Sequence, residues 1–291
     1  MTSDLAIIIP HFNDVDRLTR CLAALEPQDR TGVEVVVADN ASTQDLEGVK
    51  TRFDWVQFVV QPEAGAGPAR NAGVAASTAP WLAFLDADCV PGPDWVSRAL
   101  HNTLGRPEIV TGGRVEVFDE TPPPRSGAEA FETVFAFDQE GYIRDRGFSV
   151  TANLVASRAM FDRTGPFLVG VSEDRDWCLR ATAKGAHLFY APDLRVGHPT
   201  RTDWPSLERK WQRMNYETFG FYLRNARFVL AARGKWGLRA FLMPLSIVAH
   251  AGRVIGHEAL SPAEKWAGLR TLARLRLIRM AWMLRQAVMG R

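Results

Sequence analysis

The chain has 291 residues, 46% of them hydrophobic and 23% charged, with a formal net charge of +2. That leaves room for one large domain, or a domain plus an appendage, and excludes a chain that is mostly disordered. The three cysteines, Cys21, Cys89 and Cys178, are scattered and odd in number, which excludes a disulfide framework or a cysteine metal cluster and suits a reducing cytoplasm.

Met1-Thr2-Ser3-Asp4 lacks a basic n-region and strand-like sequence follows at once, so no secretory signal is expected. Leu5 to Ile9 reads as a buried strand stopped by Pro10. His11-Phe12-Asn13-Asp14 is a loop in which Asn13 or Asp14 can cap the next helix. That helix carries Val15, Leu18, Cys21, Leu22 and Leu25 at helical spacing. Val33 to Ala38 is a second strand, ending in Asp39-Asn40-Ala41-Ser42, and Val56 to Val60 a third. Gly65-Ala66-Gly67 then leads into a helix with Pro68 in its first turn and Arg70 close behind. Glycines ahead of a helix let backbone N–H groups approach phosphate. The dinucleotide spacing Gly-x-Gly-x-x-Gly is absent, however, and a plain connection fits as well.

Trp81 to Leu85 is an uncharged, five-residue run that suits a strand buried on both faces. It ends in Asp86-Ala87-Asp88. Two hard oxygen ligands at the carboxyl end of such a strand can seat Mg²⁺ or Mn²⁺ with a phosphate-bearing substrate; alternatively, they are loop aspartates capping the segment from Pro91. A turn at Pro91-Gly92-Pro93 enters a helix reaching about His101, and Ile109 to Phe118 reads as a strand. Residues 119–128 form a Pro-rich break, expected to be a mobile surface loop. Residues 129–147 are partly helical in spacing, and Phe148 to Val155 holds Thr151, Ala152 and Asn153 in an apolar run. Ser172 predicts an N-cap for a helix running to about Lys184 and ending at Gly185. Glu173 and Asp174 fall in its first turn, where the helix dipole favours their ionised forms; a simple acidic helix start is the plainer alternative. His187 to Tyr190 is a short strand, and Arg195-Val196-Gly197-His198-Pro199 closes this part. Strands alternating with helices imply a parallel α/β sheet, with ligands at the carboxyl ends of its strands, where Asp39, Asp86 and Asp88 fall.

Charge divides the chain. Residues 1–200 hold 18 Lys+Arg against 28 Asp+Glu, and residues 201–291 hold 17 against 5. This predicts an acidic catalytic body over 1–200 and a basic helical extension over 201–291 that meets something anionic. The longest uncharged apolar stretch, Ala240 to Gly252, has 13 residues, short of the roughly 20 that a span needs. Within 262–288, Trp266, Leu269, Leu272 and Trp282 interleave with Lys265, Arg270, Arg274 and Arg279. A basic amphipathic helix of this kind suits an anionic membrane surface; a helical subdomain with solvated arginines is the alternative. Nucleic acid is not expected, because no reader module is present.

In order and spacing, these residues resemble the family 2 glycosyltransferases of the GT-A fold over about residues 5–200. The resemblance rests on the opening strand with Pro10, Asp39-Asn40-Ala41-Ser42, Gly67-x-Ala69-Arg70-Asn71 and Asp86-Ala87-Asp88. It also includes Glu173-Asp174-x-Asp176-Trp177-Cys178-Leu179-Arg180, and His198. It implies an α/β fold of GT-A type, a mostly parallel sheet flanked by helices. The implied reaction is an inverting, metal-dependent transfer from a nucleotide-diphosphate sugar, UDP- or dTDP-linked first, to a saccharide or lipid-linked acceptor in cell-envelope glycan assembly. By the same resemblance, Pro10, His11 and Asn13 line the nucleotide pocket and Asp39 accepts from the base. Gly65, Gly67 and Arg70 lie near the nucleotide, and Asp86, with Ala87 beside it, holds the ribose or the donor sugar. Asp88 and His198 would hold Mg²⁺ or Mn²⁺. Asp174 would be the catalytic base, with Glu173 as the alternative base or an acceptor ligand.

The chain also departs from the family. His11 stands where many relatives carry Tyr or Asn. Gln212-Arg213-Met214-Asn215-Tyr216 replaces the Gln-x-x-Arg-Trp signature of processive synthases, which points to single addition. Two other readings remain open. A nucleotidyltransferase usually carries a Gly-rich phosphate loop after its first strand, where this chain has Pro10-His11-Phe12-Asn13. A degenerate transferase acting as a membrane scaffold would have lost Asp88 or the Glu173-Asp174 pair. The expected place is cytoplasmic, peripheral on the cytoplasmic face of the membrane.

Overall fold

In a computed structural model, which describes residues 3–103, 106–224 and 226–290, the uncharged apolar runs become buried strands. β1 (Leu5–His11), α1 (Val15–Leu25), β2 (Val33–Asp39), α2 (Glu47–Arg52), β3 (Gln57–Val60), α3 (Ala66–Ala75) and β4 (Trp81–Leu85) alternate strand and helix, α2 being a helix that the sequence spacing does not single out. β5 (Val90–Pro91), α4 (Trp95–Thr103), β6 (Ile109–Phe118), α5 (Gly127–Phe135), α6 (Gln139–Arg146) and β7 (Asn153–Ser157) follow. Then come α7 (Arg158–Thr164), α8 (Glu173–Ala183) and β8 (His187–Pro199), and last α9 (Trp204–Arg224), α10 (Val229–Ala240), α11 (Leu242–Ile255) and α12 (Pro262–Met289).

The eight strands lie in the order β3-β2-β1-β4-β7-β6-β8-β5. β1 is parallel to β2 and β4, and β2 to β3, so the alternating first part of the chain builds a parallel half-sheet. β7 enters antiparallel to β4 and β6, and β5 is antiparallel to β8. The sheet is therefore mixed. Its core, including Ile8, Val36, Leu82, Phe84, Leu154 and Trp177, is closed to solvent.

β1 does not stop at Pro10, as its sequence suggests, but runs on to His11. The His11 carbonyl accepts the Asn40 N–H, so the odd-numbered residues of β1 bond to β2. Pro10 therefore turns its missing donor towards β4, whose pairing with β1 ends at Ile8 and Phe84. β8 is likewise longer than the expected Tyr190 end: Leu194 and Val196 are buried while Arg195 between them is exposed, a half-buried strand that Pro192 masks in the sequence.

The chain forms two compact units, Met1–Glu116 with Asp138–His198, and Val117–Phe137 with Pro199–Arg291. In the second unit, the Pro-rich stretch expected to be a mobile loop is tied down. Arg125 Nε donates to Asp119 at 2.6 Å, and its backbone N–H donates to Glu264 at 2.8 Å. Ser126 and Glu129 then close a capping box on α5. Glu132 of α5 is buried and meets Lys210 Nζ at 2.7 Å and the Arg201 backbone N–H at 2.8 Å. Burial alone would raise its carboxyl, but these cations outweigh burial and hold it below the usual range. α12 is the central helix of this unit, with Leu272, Leu275 and Met283 buried; its Gln286 accepts from Asn215 of α9 at 2.9 Å and Trp236 of α10 at 3.1 Å.

In the first unit, Asn153 opens β7 as a fully buried amide. It donates to the Arg114 carbonyl at 3.0 Å and the Leu194 carbonyl at 2.9 Å, and accepts from the Trp95 indole at 2.9 Å. One side chain thus joins β6, β7, β8 and α4. Asn153→Ala leaves three buried polar groups unpaired and is expected to cost about 3 kcal/mol or more of stability. Urea unfolding followed by circular dichroism measures this; a loss within about 0.5 kcal/mol contradicts the role.

Candidate active site

The site is built where α3 meets the ends of the central strands. Gly73 allows this approach, since a Cβ there would lie 2.6 Å from Ile8 Cγ2. One turn earlier, Arg70 points inward and is 3% exposed. Its Nη2 donates to Asp86 Oδ1 at 2.6 Å, and its Nη1 to Glu173 Oε1 at 3.1 Å. The planar guanidinium therefore joins the carboxyl end of β4 to the first turn of α8. Phe167 lies below it, 5.9 Å from the guanidinium carbon, edge-on to Phe84 at 5.2 Å and 5.6 Å from Trp177. Asn71 fixes that ring's backbone from both sides, donating to the Phe167 carbonyl and accepting its N–H, each at 2.9 Å. Sequence reading quoted Asn71 without giving it a task; the available signal was an amide beside an inward-facing arginine.

α8 begins after Ser172, as its N-cap position predicts, but the hydroxyl does not cap the backbone. It donates instead to Asp174 Oδ1 at 3.0 Å, which also accepts the Arg175 N–H at 2.8 Å. Trp177 and Cys178, at i+3 and i+4 from Asp174, are fully buried, so this face of α8 turns inward and takes Asp174 with it. Burial, and then the neighbouring Glu173 charge, push the Asp174 carboxyl up to about 6, against the opposing pull of the Arg175 N–H and Arg70. The expected dipole effect is thus outweighed at Asp174. A carboxylate poised near 6 is suited to take a proton at neutral pH.

Asp88 and His198, far apart in sequence, meet with Oδ2 and Nε2 3.3 Å apart. Among the described residues, no group of three or more His, Cys, Asp or Glu side chains forms a closed metal cluster. An oxygen–nitrogen pair at this separation fits two neighbouring positions on an octahedral Mg²⁺ or Mn²⁺, which lie about 3 Å apart, with the other positions open to substrate oxygens and water.

His11 and Asp39 form a third pair at the ends of β1 and β2, with Nδ1 2.9 Å from Oδ1. The Asp14 N–H donates to His11 Nε2 at 3.1 Å, so Nδ1 carries the proton and donates to Asp39. Ser42 adds a backbone N–H to Asp39 Oδ2 at 3.1 Å and its hydroxyl to Oδ1 at 2.5 Å. Burial alone would raise Asp39, but these hydrogen bonds hold it below the usual carboxylate range. Asn13, held at φ 48°, accepts the Thr43 N–H at 2.8 Å and the Gln44 N–H at 3.2 Å, binding the two loops together. Asn40 Oδ1 accepts the Gly65 N–H at 2.7 Å, and Gly65 takes φ 130°, which favours glycine, to start α3. Gly67 packs against Phe167 and Glu173. Ala87 is buried beside Asp86 and Asp88. Cys21, Cys89 and Cys178 are buried, and desolvation pushes all three thiols up, that of Cys178 to about 12, so none offers a thiolate.

The sequence profile of glycosyl transferase family 2 matches residues 6–165. Glycosyltransferase AglE of Haloferax volcanii is 30% identical over 224 residues, 73% of each chain. The pre-mycofactocin glycosyltransferase of Mycobacterium tuberculosis is 27% identical over 218 residues, 69% of this chain and 44% of that protein, so the match spans less than half of the relative. Among solved structures, the mannosyltransferase PcManGT of Pyrobaculum calidifontis, in complex with GDP-Man and Mn²⁺, superposes with a TM-score of 0.61 at 18% identity, over 98% of this chain and 87% of that one. S. aureus TarS 1–349 with UDP-GlcNAc gives 0.56 at 16% identity, over 99% and 92%. These likenesses establish the GT-A fold.

The raised Asp174 carboxyl gives a direct expectation. In carboxyl-resolved NMR, Asp174 titrates with a midpoint of about 6. In Glu173→Gln the midpoint moves down, because a neighbouring negative charge has been removed. A wild-type midpoint near the ordinary value of about 4 contradicts the assignment.

Proposed function

The chain belongs to glycosyl transferase family 2, and we propose that it transfers one sugar, with inversion, from a nucleotide-diphosphate donor to a saccharide or lipid-linked acceptor. One observation carries the reading: Arg70 ties Asp86, at the end of β4, to Glu173, next to a carboxyl raised to about 6. A donor-side group and a proton acceptor thereby share one rigid frame.

Asp39 keeps acceptor capacity on Oδ2 and faces the base. The single imide N–H of uracil or thymine matches it, which favours a UDP- or dTDP-sugar. Pro10, His11 and Asn13 line the nucleotide pocket, with His11 and Ser42 orienting Asp39. Gly65 and Gly67 bring the start of α3 near the nucleotide, and Asp86, with Ala87 beside it, holds the ribose or sugar, fixed by Arg70. Asp88 and His198 would hold a divalent cation, Mg²⁺ or Mn²⁺, which would supply positive charge against the departing diphosphate. Asp174 takes the acceptor hydroxyl's proton as that oxygen bonds to the anomeric carbon, while the bond from that carbon to the diphosphate oxygen breaks on the opposite side. The nucleoside diphosphate leaves and the anomeric configuration inverts. Glu173, held by Arg70, keeps Asp174 basic. The setting is cell-envelope glycan assembly on the cytoplasmic face of a membrane, where the net charge of +12 over residues 201–291 favours an anionic surface.

A donor panel, followed by nucleoside diphosphate release with Mn²⁺ and with chelator, tests the donor and the cation together. Release is expected with a UDP- or dTDP-sugar and lost in chelator; turnover undiminished by chelator removes the role of Asp88 and His198. Asp174→Asn is expected to lower kcat by at least about 10²-fold with donor affinity unchanged, and normal turnover in that variant rejects Asp174 as the base. In the wild type, kcat falls as pH drops through about 6, because protonated Asp174 accepts no proton. A flat profile across that range argues against the same role.

A further inference from the structure

The second unit exposes apolar residues on α12, such as Trp266 at 62%, and a longer run of them on α10 and α11. α12 buries Leu272, Leu275 and Met283, and its arginines lie over tryptophans, Arg274 on Trp204 at 3.9 Å and Arg279 on Trp211 at 4.7 Å. The larger open apolar surface lies on α10 and α11. Leu238, Phe241, Leu242, Leu245, Val248 and Ile255 are each more than half exposed, with Leu245 at 67% and Val248 at 80%. On α11, positions 242, 245, 248 and 255 recur at three- and four-residue spacing or its multiples, so they form one stripe. An unbroken solvent-facing stripe of this kind costs free energy in water.

Charge says what covers it. Between Glu217 and Glu258 the chain has no Asp or Glu, but it has Arg224, Arg227, Arg233, Lys235, Arg239 and Arg253. Arg239, next to Leu238, and Arg276 each lie within electrostatic reach of Arg279 on α12. The Nε–H groups of Arg276 and Arg279 are buried without a hydrogen-bond partner. A cationic cluster beside an apolar stripe is complementary to a phosphate headgroup above acyl chains.

We propose that α10 and α11 seat this protein on an anionic bilayer, the apolar stripe entering the headgroup–acyl boundary and Arg239, Arg276 and Arg279 taking lipid phosphate. The pair lies in the surface rather than crossing it. Among the described residues no single helix is long and apolar enough to cross, although α10 and α11, bent by 47°, together reach the length and hydropathy of a span. The other face of α10 is already used, with Ala232, Trp236 and Ala240 buried and the Trp236 indole bonded to Gln286. The inference deepens the transferase reading by naming its lipid surface, and it rests on that reading only for the use made of the surface.

Flotation of the full chain with vesicles tests this. Binding is expected to vesicles of phosphatidylcholine and phosphatidylglycerol in equal parts, to be weaker to phosphatidylcholine alone, and to fall at high salt. Leu245→Asp with Val248→Asp is expected to lower vesicle affinity by about tenfold or more, with the melting temperature and nucleoside diphosphate release unchanged. Leu238→Lys with Phe241→Lys serves as a second pair should the first fail to fold. Arg276→Gln with Arg279→Gln is expected to lose the preference for anionic vesicles. Wild-type protein that ignores anionic vesicles, or stripe variants that float as well as wild type, overturns the proposal. So does a wild-type dimer that the stripe substitutions convert to monomer, because a second copy then covers the face. Failure here leaves donor turnover intact, whereas failure of the transferase reading appears as no nucleoside diphosphate release from any donor.

Discussion

The first unit depends on a buried cation held between two carboxylates. Arg70 is almost fully withdrawn from water, so removing either partner would leave its charge poorly compensated in a low-dielectric setting. Asp86 and Glu173 pay that desolvation cost together, and in return each is fixed relative to the other. The consequence is geometric more than energetic. A residue after a sheet strand and a residue opening a helix more than eighty positions later keep a constant separation. Phe167, Phe84 and Trp177 form the floor under this frame, and Asn71 locks the floor to the helix that carries the arginine.

The same frame governs the proton chemistry. Helix N-termini normally lower the affinity of a carboxyl for its proton. At Asp174 burial and the Glu173 charge act against that and win. Arg70 pulls the other way without prevailing, its Nη1 and Nη2 donating to Glu173 and Asp86 rather than to Asp174. Asp39 shows the opposite balance. It is the more fully buried of the two, yet Ser42 and His11 supply enough hydrogen bonds to keep it a strong acceptor. Two aspartates at the mouth of one sheet are thus tuned apart, one to stay ionised and one to exchange a proton.

Much of this was legible in the sequence, where a local rule decides. The run Trp81–Leu85 could only be buried, and the abrupt change to Asp86 marked its end. Gly185, in the left-handed region at φ 94°, marked the end of α8 by a local rule, and Ser172 marked its start although its hydroxyl serves Asp174 rather than the backbone. Other features were hidden because they depend on distant partners. The pairing side of Pro10 is set by where β4 stops, and the task of Asn153 by three groups from other elements. The length of β8 was obscured by Pro192 and by a mild alternation of burial. The tryptophans and arginines of α12 look amphipathic in one dimension, and only the neighbouring helices show that Leu272, Leu275 and Met283 are covered while Trp266 stays exposed.

The segment between β6 and β7 has a bearing on how this chain can be divided. Val117–Phe137 groups with Pro199–Arg291, so the backbone passes between the units three times. The second unit is therefore no detachable cassette. A chain ended at residue 200 would retain Glu132 but lose Arg201 and Lys210, leaving a buried carboxylate without its cations, and would strip α5 of the helix that covers Phe131 and Val134. Gene fusion or exchange at a single junction cannot respect such a boundary.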